Sequence, residues 1–159
     1  MSMNRLLCSA VVAALLAPAV FLVDAGASEP SAKELMHARH EHYEELGEAF
    51  KVVRDQSKAS KPDMAAIKTA AKFVGEAAAE QAKWFPAGTG PEAGKTHALA
   101  AIWAKPEEFK AAMKKFSDAA PKLTAAANAG NADAVKVAFG DVGKACKGCH
   151  EQFREKEQD

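Results

Sequence analysis

The residues with the clearest chemical capacity form the run Cys146-Lys147-Gly148-Cys149-His150 near the C-terminus. Cysteine, two residues, cysteine, histidine is the attachment signature for c-type haem. The spacing has a physical reason. Residues three apart on an α-helix lie on nearly the same face. Two thiols there reach two vinyl groups along one haem edge and form thioethers. The next residue is turned by about 100° around the helix axis, and its imidazole swings over the ring toward the iron. Cys146 and Cys149 are therefore candidate covalent anchors, and His150 is the candidate axial ligand of one haem c.

Other chemistries fit these residues less well. A redox-active Cys-x-x-Cys normally opens a helix after a strand in an α/β context. This one lies deep in a helical stretch. A structural zinc site needs more ligands, and the remaining cysteine of the three is Cys8. A disulfide across one helical turn would be strained.

Four amphipathic stretches must position this motif. The first is expected from about Ser31 to Ser57, with Ser31 and Glu34 as a capping box. Leu35, Arg39, Tyr43, Leu46, Phe50 and Val53 recur at spacings of three and four, which puts them on one face. A turn over Ser57 to Pro62 follows, with Pro62 suited to a helix start. The second helix is expected from Asp63 to Lys83. It carries eight alanines between Ala65 and Ala82, which permit close approach of a neighbouring helix or another subunit.

Trp84 to Lys105 breaks the pattern with Pro86, Gly88, Gly90, Pro91 and Gly94, all turn formers. Such a long loop is functional or disordered more often than not, and Trp84 and Trp103 imply packed ends. A third helix is expected from Pro106-Glu107-Glu108, interrupted and kinked at Pro121. Asn128 to Asn131 connects it to a fourth, running from Asp133 through the haem motif to the terminus. There is no strand signal. The expected fold is all-α, an antiparallel four-helix bundle with a long loop between helices two and three.

Composition agrees. The 159 residues carry 21 basic and 21 acidic side chains, and a zero balance argues against a nucleic-acid or anionic-membrane binder. Asn4 and Arg5 precede an apolar run from Leu6 to Val23, followed by Ala25-Gly26-Ala27. This is the order of a secretory signal peptide. A membrane-spanning helix needs about 20 apolar residues, and Pro18 with Asp24 leaves this run short. Residues 1–27 are expected to be a removed signal, and residues 28–159 one exported, periplasmic domain without a stable membrane anchor.

Several stretches beyond the motif resemble the cytochrome c′ family. Arg39, Tyr43 and Leu46-Gly47 resemble its first-helix pattern, and Ile102-Trp103 with Phe109-Lys110 its third-helix start. Asn128-Ala129-Gly130-Asn131, Ala138-Phe139-Gly140-Asp141-Val142-Gly143 and Phe153-Arg154 are similar to its last connector and helix. The resemblance implies a bundle holding one haem, often as a homodimer through the first two helices. His150 would be the only protein ligand to iron, with Tyr43 over the opposite haem face. Arg39 would lie at the propionate edge with His40 beside it and Thr96 reaching the same edge. Arg154 would stand near the proximal side.

Position 43 decides function within that frame. A methionine there would give a low-spin electron carrier. A neutral phenol is a poor ligand for ferrous iron, and its bulk restricts access. Tyr43 therefore favours a five-coordinate iron that binds small diatomic gases, chiefly nitric oxide, and can transfer electrons to a redox partner. The plain alternatives are core packing for Tyr43 and an ordinary solvated charge for Arg39. The rival function is a six-coordinate carrier using His40 or Met36. Enzymatic peroxide chemistry has the least support, since Arg39 and His40 do not form a convincing distal pair for O–O cleavage.

Overall fold

The computed structural model describes residues 29–156. The signal segment expected over residues 1–27 lies outside the described residues. The chain folds into α1 (Ala32–Lys58), α2 (Met64–Glu80), a 3-10 turn (Gln81–Trp84), a single-turn α3 (Ala101–Ala104), α4 (Pro106–Asn128) and α5 (Ala132–Phe153). The long helices α1, α2, α4 and α5 make the bundle.

Helix ends follow local chemistry. At α1 the Ser31 hydroxyl accepts from the Glu34 amide while the Glu34 carboxylate accepts from the Ser31 amide. This is the reciprocal capping box. Asp63, rather than Pro62, starts α2, its carboxylate accepting from the amides of Ala65 and Ala66. At its far end α2 tightens into the 3-10 turn, where buried Gln81 donates to the Met113 carbonyl. Gly130 takes φ 68° after α4, a turn a side chain would strain, and the Asn131 side chain caps α5 by accepting from Ala134.

Cross-helix contacts fix the orientation. Moving back from Gln81 in the 3-10 turn to Ala78 and Ala71 of α2, the partners on α4 advance from Met113 to Ser117 to Thr124. The two run antiparallel although a long loop joins them. On the other side Phe50 of α1 stacks on Phe139 of α5 at 4.2 Å. Ala71 and Ala78 of α2 lie close against α4. Ser117 Oγ donates to the Ala78 carbonyl and Thr124 Oγ1 to that of Ala71, at 3.0 and 2.9 Å. A Cβ added at Gly75 would stand 2.8 Å from Thr124 Oγ1, so glycine is what this approach requires.

Three expectations are corrected. Pro121 lies inside α4 without ending it; proline removes one backbone bond, while buried Ala119, Ala120 and Leu123 hold the segment in the core. The segment from Trp84 to Lys105 is not structureless, since it includes α3. The last helix does not run to the terminus. It ends at Phe153 because the loop captures the next backbone groups: Leu99 donates to the Phe153 carbonyl, Glu155 donates to that of His97, and Ala98 bridges Arg154.

The core has two parts. Leu46, Val53, Ile67, Val74, Phe116, Leu123, Val135 and Val142 pack along the bundle with the α2 alanines. A smaller cluster of Ile102, Phe109, Ala112 and Phe153 closes the end where the loop crosses. Among the described residues no helix is long and apolar enough to cross a membrane. Leu123 is fully buried, so Leu123→Ala is expected to cost about 3 kcal/mol, transfer and cavity costs together. A lowered urea-unfolding midpoint with unchanged slope is the measurement that checks it.

Candidate functional site

The chemistry-bearing residues meet at the end of the bundle between these two clusters. Cys146 packs on the main core and Cys149 on the smaller one. Both thiols are half-buried on one stripe of α5, and His150 is the most exposed of the three. Burial pushes the Cys146 thiol up to about 11, with Cys149 adding to the effect. Cys149 is raised by burial as well. Partial desolvation, and second the positive charge of Arg154, hold the His150 imidazolium below the usual histidine range. The neutral imidazole this favours is the form that ligates metal. Among the described residues no group of three or more histidine, cysteine or carboxylate side chains stands together to hold a metal ion.

Tyr43 faces this stripe from α1. Burial pushes its phenol well above the usual range, and Cys149 and then Cys146 add to the effect, while Arg39 opposes it. Among the described residues its hydroxyl makes no hydrogen bond. The ring is held by packing: edge-on to Trp84 at 5.1 Å and tilted against Phe85 at 6.1 Å.

One turn before Tyr43, Arg39 is only 4 % exposed. Its guanidinium donates to the Trp84 carbonyl, to Thr89 through both Oγ1 and the carbonyl, and to Thr96 Oγ1, at 3.3, 2.9, 2.8 and 3.4 Å. Phe85 and Trp103 lie against it at 4.9 and 5.7 Å. Among the described residues no carboxylate pairs with it. Desolvation accordingly lowers its pKa, with Tyr43 opposing.

Of the residues singled out from sequence, Cys146, Cys149, Tyr43, Arg39 and Thr96 come together. His40 does not join them: its ring is exposed and pairs with Glu44 at 3.4 Å. Buried Met36 lies under the loop near Gly94. Arg154 follows α5 at the bridge to Ala98, close enough for its charge to act on His150. Sequence reasoning missed Thr89, 1 % exposed, which reads as a loop residue between Gly88 and Gly90. It also missed the stack of His42 on Trp84 at 4.7 Å. The only available signal was the pair of tryptophans flanking the loop.

Replacing Arg39 by methionine would leave the two carbonyls without their donor and remove a donor from both threonine hydroxyls. Arg39→Met is expected to cost about 3 kcal/mol, the scale for breaking a buried charged network, and to make the segment from Phe85 to Ala100 cleavable. Urea unfolding and protease mapping check this. Arg39→Lys, with no planar fork to span these acceptors, should restore little.

The chain matches the family model described as Cytochrome C′ over residues 34–154. It is 44% identical over 73 residues to the cytochrome c′ of Alcaligenes xylosoxydans xylosoxydans, covering 46% of this chain and 56% of that one. The match thus spans about half the length of that relative. Among solved structures, a cytochrome c′ with ligand-controlled dimer dissociation superposes with TM-score 0.75 at 30% identity, over 81% of this chain and all of that one. A leucine-to-isoleucine variant of the Alcaligenes xylosoxidans protein, solved as its nitric oxide complex, superposes with TM-score 0.68 at 30% identity, again over 81% of this chain and all of that one. With a family match across nearly all the described residues, and the same bundle in the solved relatives, the chain belongs to the cytochrome c′ family.

Proposed function

We propose that the protein is a periplasmic c-type cytochrome whose single haem is joined to Cys146 and Cys149 and ligated by His150. Its opposite face, under Tyr43, is five-coordinate and high-spin and takes small diatomic gases such as nitric oxide and carbon monoxide. The haem supplies the iron that binds gas and exchanges electrons. The rest is done by side chains. The two thiols anchor, and their position between the apolar clusters suits a flat apolar macrocycle. Arg39, buried without a carboxylate, suits the anionic propionate edge, with Thr96 beside it. His150 offers a neutral nitrogen.

Tyr43 is the observation that carries the reading. It faces the thiol stripe from α1, and burial disfavours ionisation of its phenol. Its ring fills space that larger ligands would need. The six-coordinate alternative needs Met36 or His40, and these lie under the loop and on the outer ridge of α1 respectively. Electron transfer to a redox partner is compatible with the same site, and no feature supports an enzymatic reaction. The solved relatives whose names record a nitric oxide complex and ligand-controlled dimer dissociation support gas binding and a homodimer here.

An optical spectrum of the purified, reduced protein tests this. It is expected to be high-spin and to change on adding carbon monoxide or nitric oxide; a low-spin spectrum indifferent to carbon monoxide would overturn the proposal. Tyr43→Met, which puts a thioether in the same place, is expected to convert most of the iron to a six-coordinate low-spin form. An unchanged spectrum would mean that position 43 does not face the haem.

A further inference from the structure

We propose that Trp84 is a positioning residue for this site: its indole, pinned from outside by His42, holds Tyr43 in place and thereby sets the size of ligand admitted. The inference rests on the reading of Tyr43 given above. His42 and Tyr43 are consecutive on α1 and project about 100° apart. The 3-10 turn after α2 lays the Trp84 ring across both. One face stacks on His42 at 4.7 Å and 23°, and the ring meets Tyr43 at 90°. His42 is exposed, while Trp84 and Tyr43 are half-buried. The three rings thus run in contact from solvent toward the thiol stripe.

Two features make the indole decisive. Tyr43 has no hydrogen bond to hold it among the described residues, so its rotamer depends on packing, and its other aromatic neighbour, Phe85, is farther away. Trp84 itself is tied to Arg39 only through its main-chain carbonyl. Changing the side chain leaves that bond available, so the indole can be altered without dismantling the Arg39 network. A diatomic molecule needs little displacement of the Tyr43 ring, whereas a bulkier ligand must push it against Trp84.

Tyr43 is the only tyrosine in the chain, which gives a readout independent of ligand binding. The haem-loaded full chain is treated with tetranitromethane, and nitration of Tyr43 is followed by mass spectrometry. The ratio of n-butyl isocyanide to carbon monoxide association with the reduced protein is measured alongside. In Trp84→Ala both nitration rate and ratio are expected to rise about fivefold to tenfold, the scale on which losing one aromatic pair shifts a side-chain equilibrium. Trp84→Phe should restore most of the difference, and His42→Ala should move both in the same direction by less.

Wild-type nitration and ratio in a folded Trp84→Ala protein would overturn the proposal, as would failure of phenylalanine to restore them. If Trp84→Ala does not fold, Trp84→Phe and the exposed His42→Ala decide: unchanged nitration in both overturns it. If the unaltered protein binds neither probe, the five-coordinate reading fails, and the nitration series still settles whether Trp84 positions Tyr43.

Discussion

A guanidinium carried into a protein interior without a carboxylate must find its compensation in dipoles, and Arg39 finds it in one segment of chain. Trp84, Thr89 and Thr96 all accept from it. Arginine stays protonated under these conditions, so the cation cannot escape its cost by losing a proton. The loop between α2 and α4 must therefore close over α1 at this point and no other. The remaining contacts of the loop are consistent with that closure. Trp103 Nε1 and Thr89 Oγ1 both donate to the Pro86 carbonyl, at 3.1 and 2.8 Å. Thr96 Oγ1 also accepts from the Ala98 amide at 3.1 Å, just before the bridge to Arg154. One charge on α1 thus organises a segment that ends by defining where α5 stops.

The second requirement falls on α5. On the proposed reading, the two anchors and the ligand sit within about one turn of this helix. The Asn131 cap starts that helix, and Val135, Ala138, Val142 and Ala145 seat it against the core. Phe153, in edge contact with Phe109 at 5.1 Å, fixes its end. The tight alanine packing of α2 on α4 does different work. It joins these two helices on the side where the hydroxyls of Ser117 and Thr124 donate to α2 carbonyls.

The long helices were legible from sequence because their signals are local and repeated. The capping box at Ser31 and the proline start of α4 stand where spacing put them, and the four-helix bundle follows from the apolar periodicity. What escaped was set by partners remote in sequence. The stop at Phe153 depends on amides and carbonyls of residues 97–99, and nothing in Gln152-Phe153-Arg154 announces it. Thr89 is buried by an arginine 50 positions away, and a threonine between two glycines has every local reason to be solvated. Pro121 suggested an interruption for the converse reason: a local rule gave way, and α4 runs through it with buried residues on either side. The site was legible in its types, through the Cys-x-x-Cys-His run, and less so in its walls. Tyr43 could be placed on the inner face of α1 by counting, but Trp84 reaches it only through the 3-10 turn.

These constraints bear on the proposed role of one position. Arg39 and Tyr43 are one helical turn apart, so they share a face. Once Arg39 is fixed by the loop, the register of α1 is fixed, and position 43 has to point at the thiol stripe whatever residue occupies it. The apolar positions that follow, Leu46, Phe50 and Val53, are satisfied by the core independently of that choice. Tyr43 packs against the edge of the same core, and on the proposed reading ligation and access are set there. On that reading, a change there from phenol to thioether would alter the sixth position of the iron while Arg39, one turn earlier, keeps its bonds to the loop.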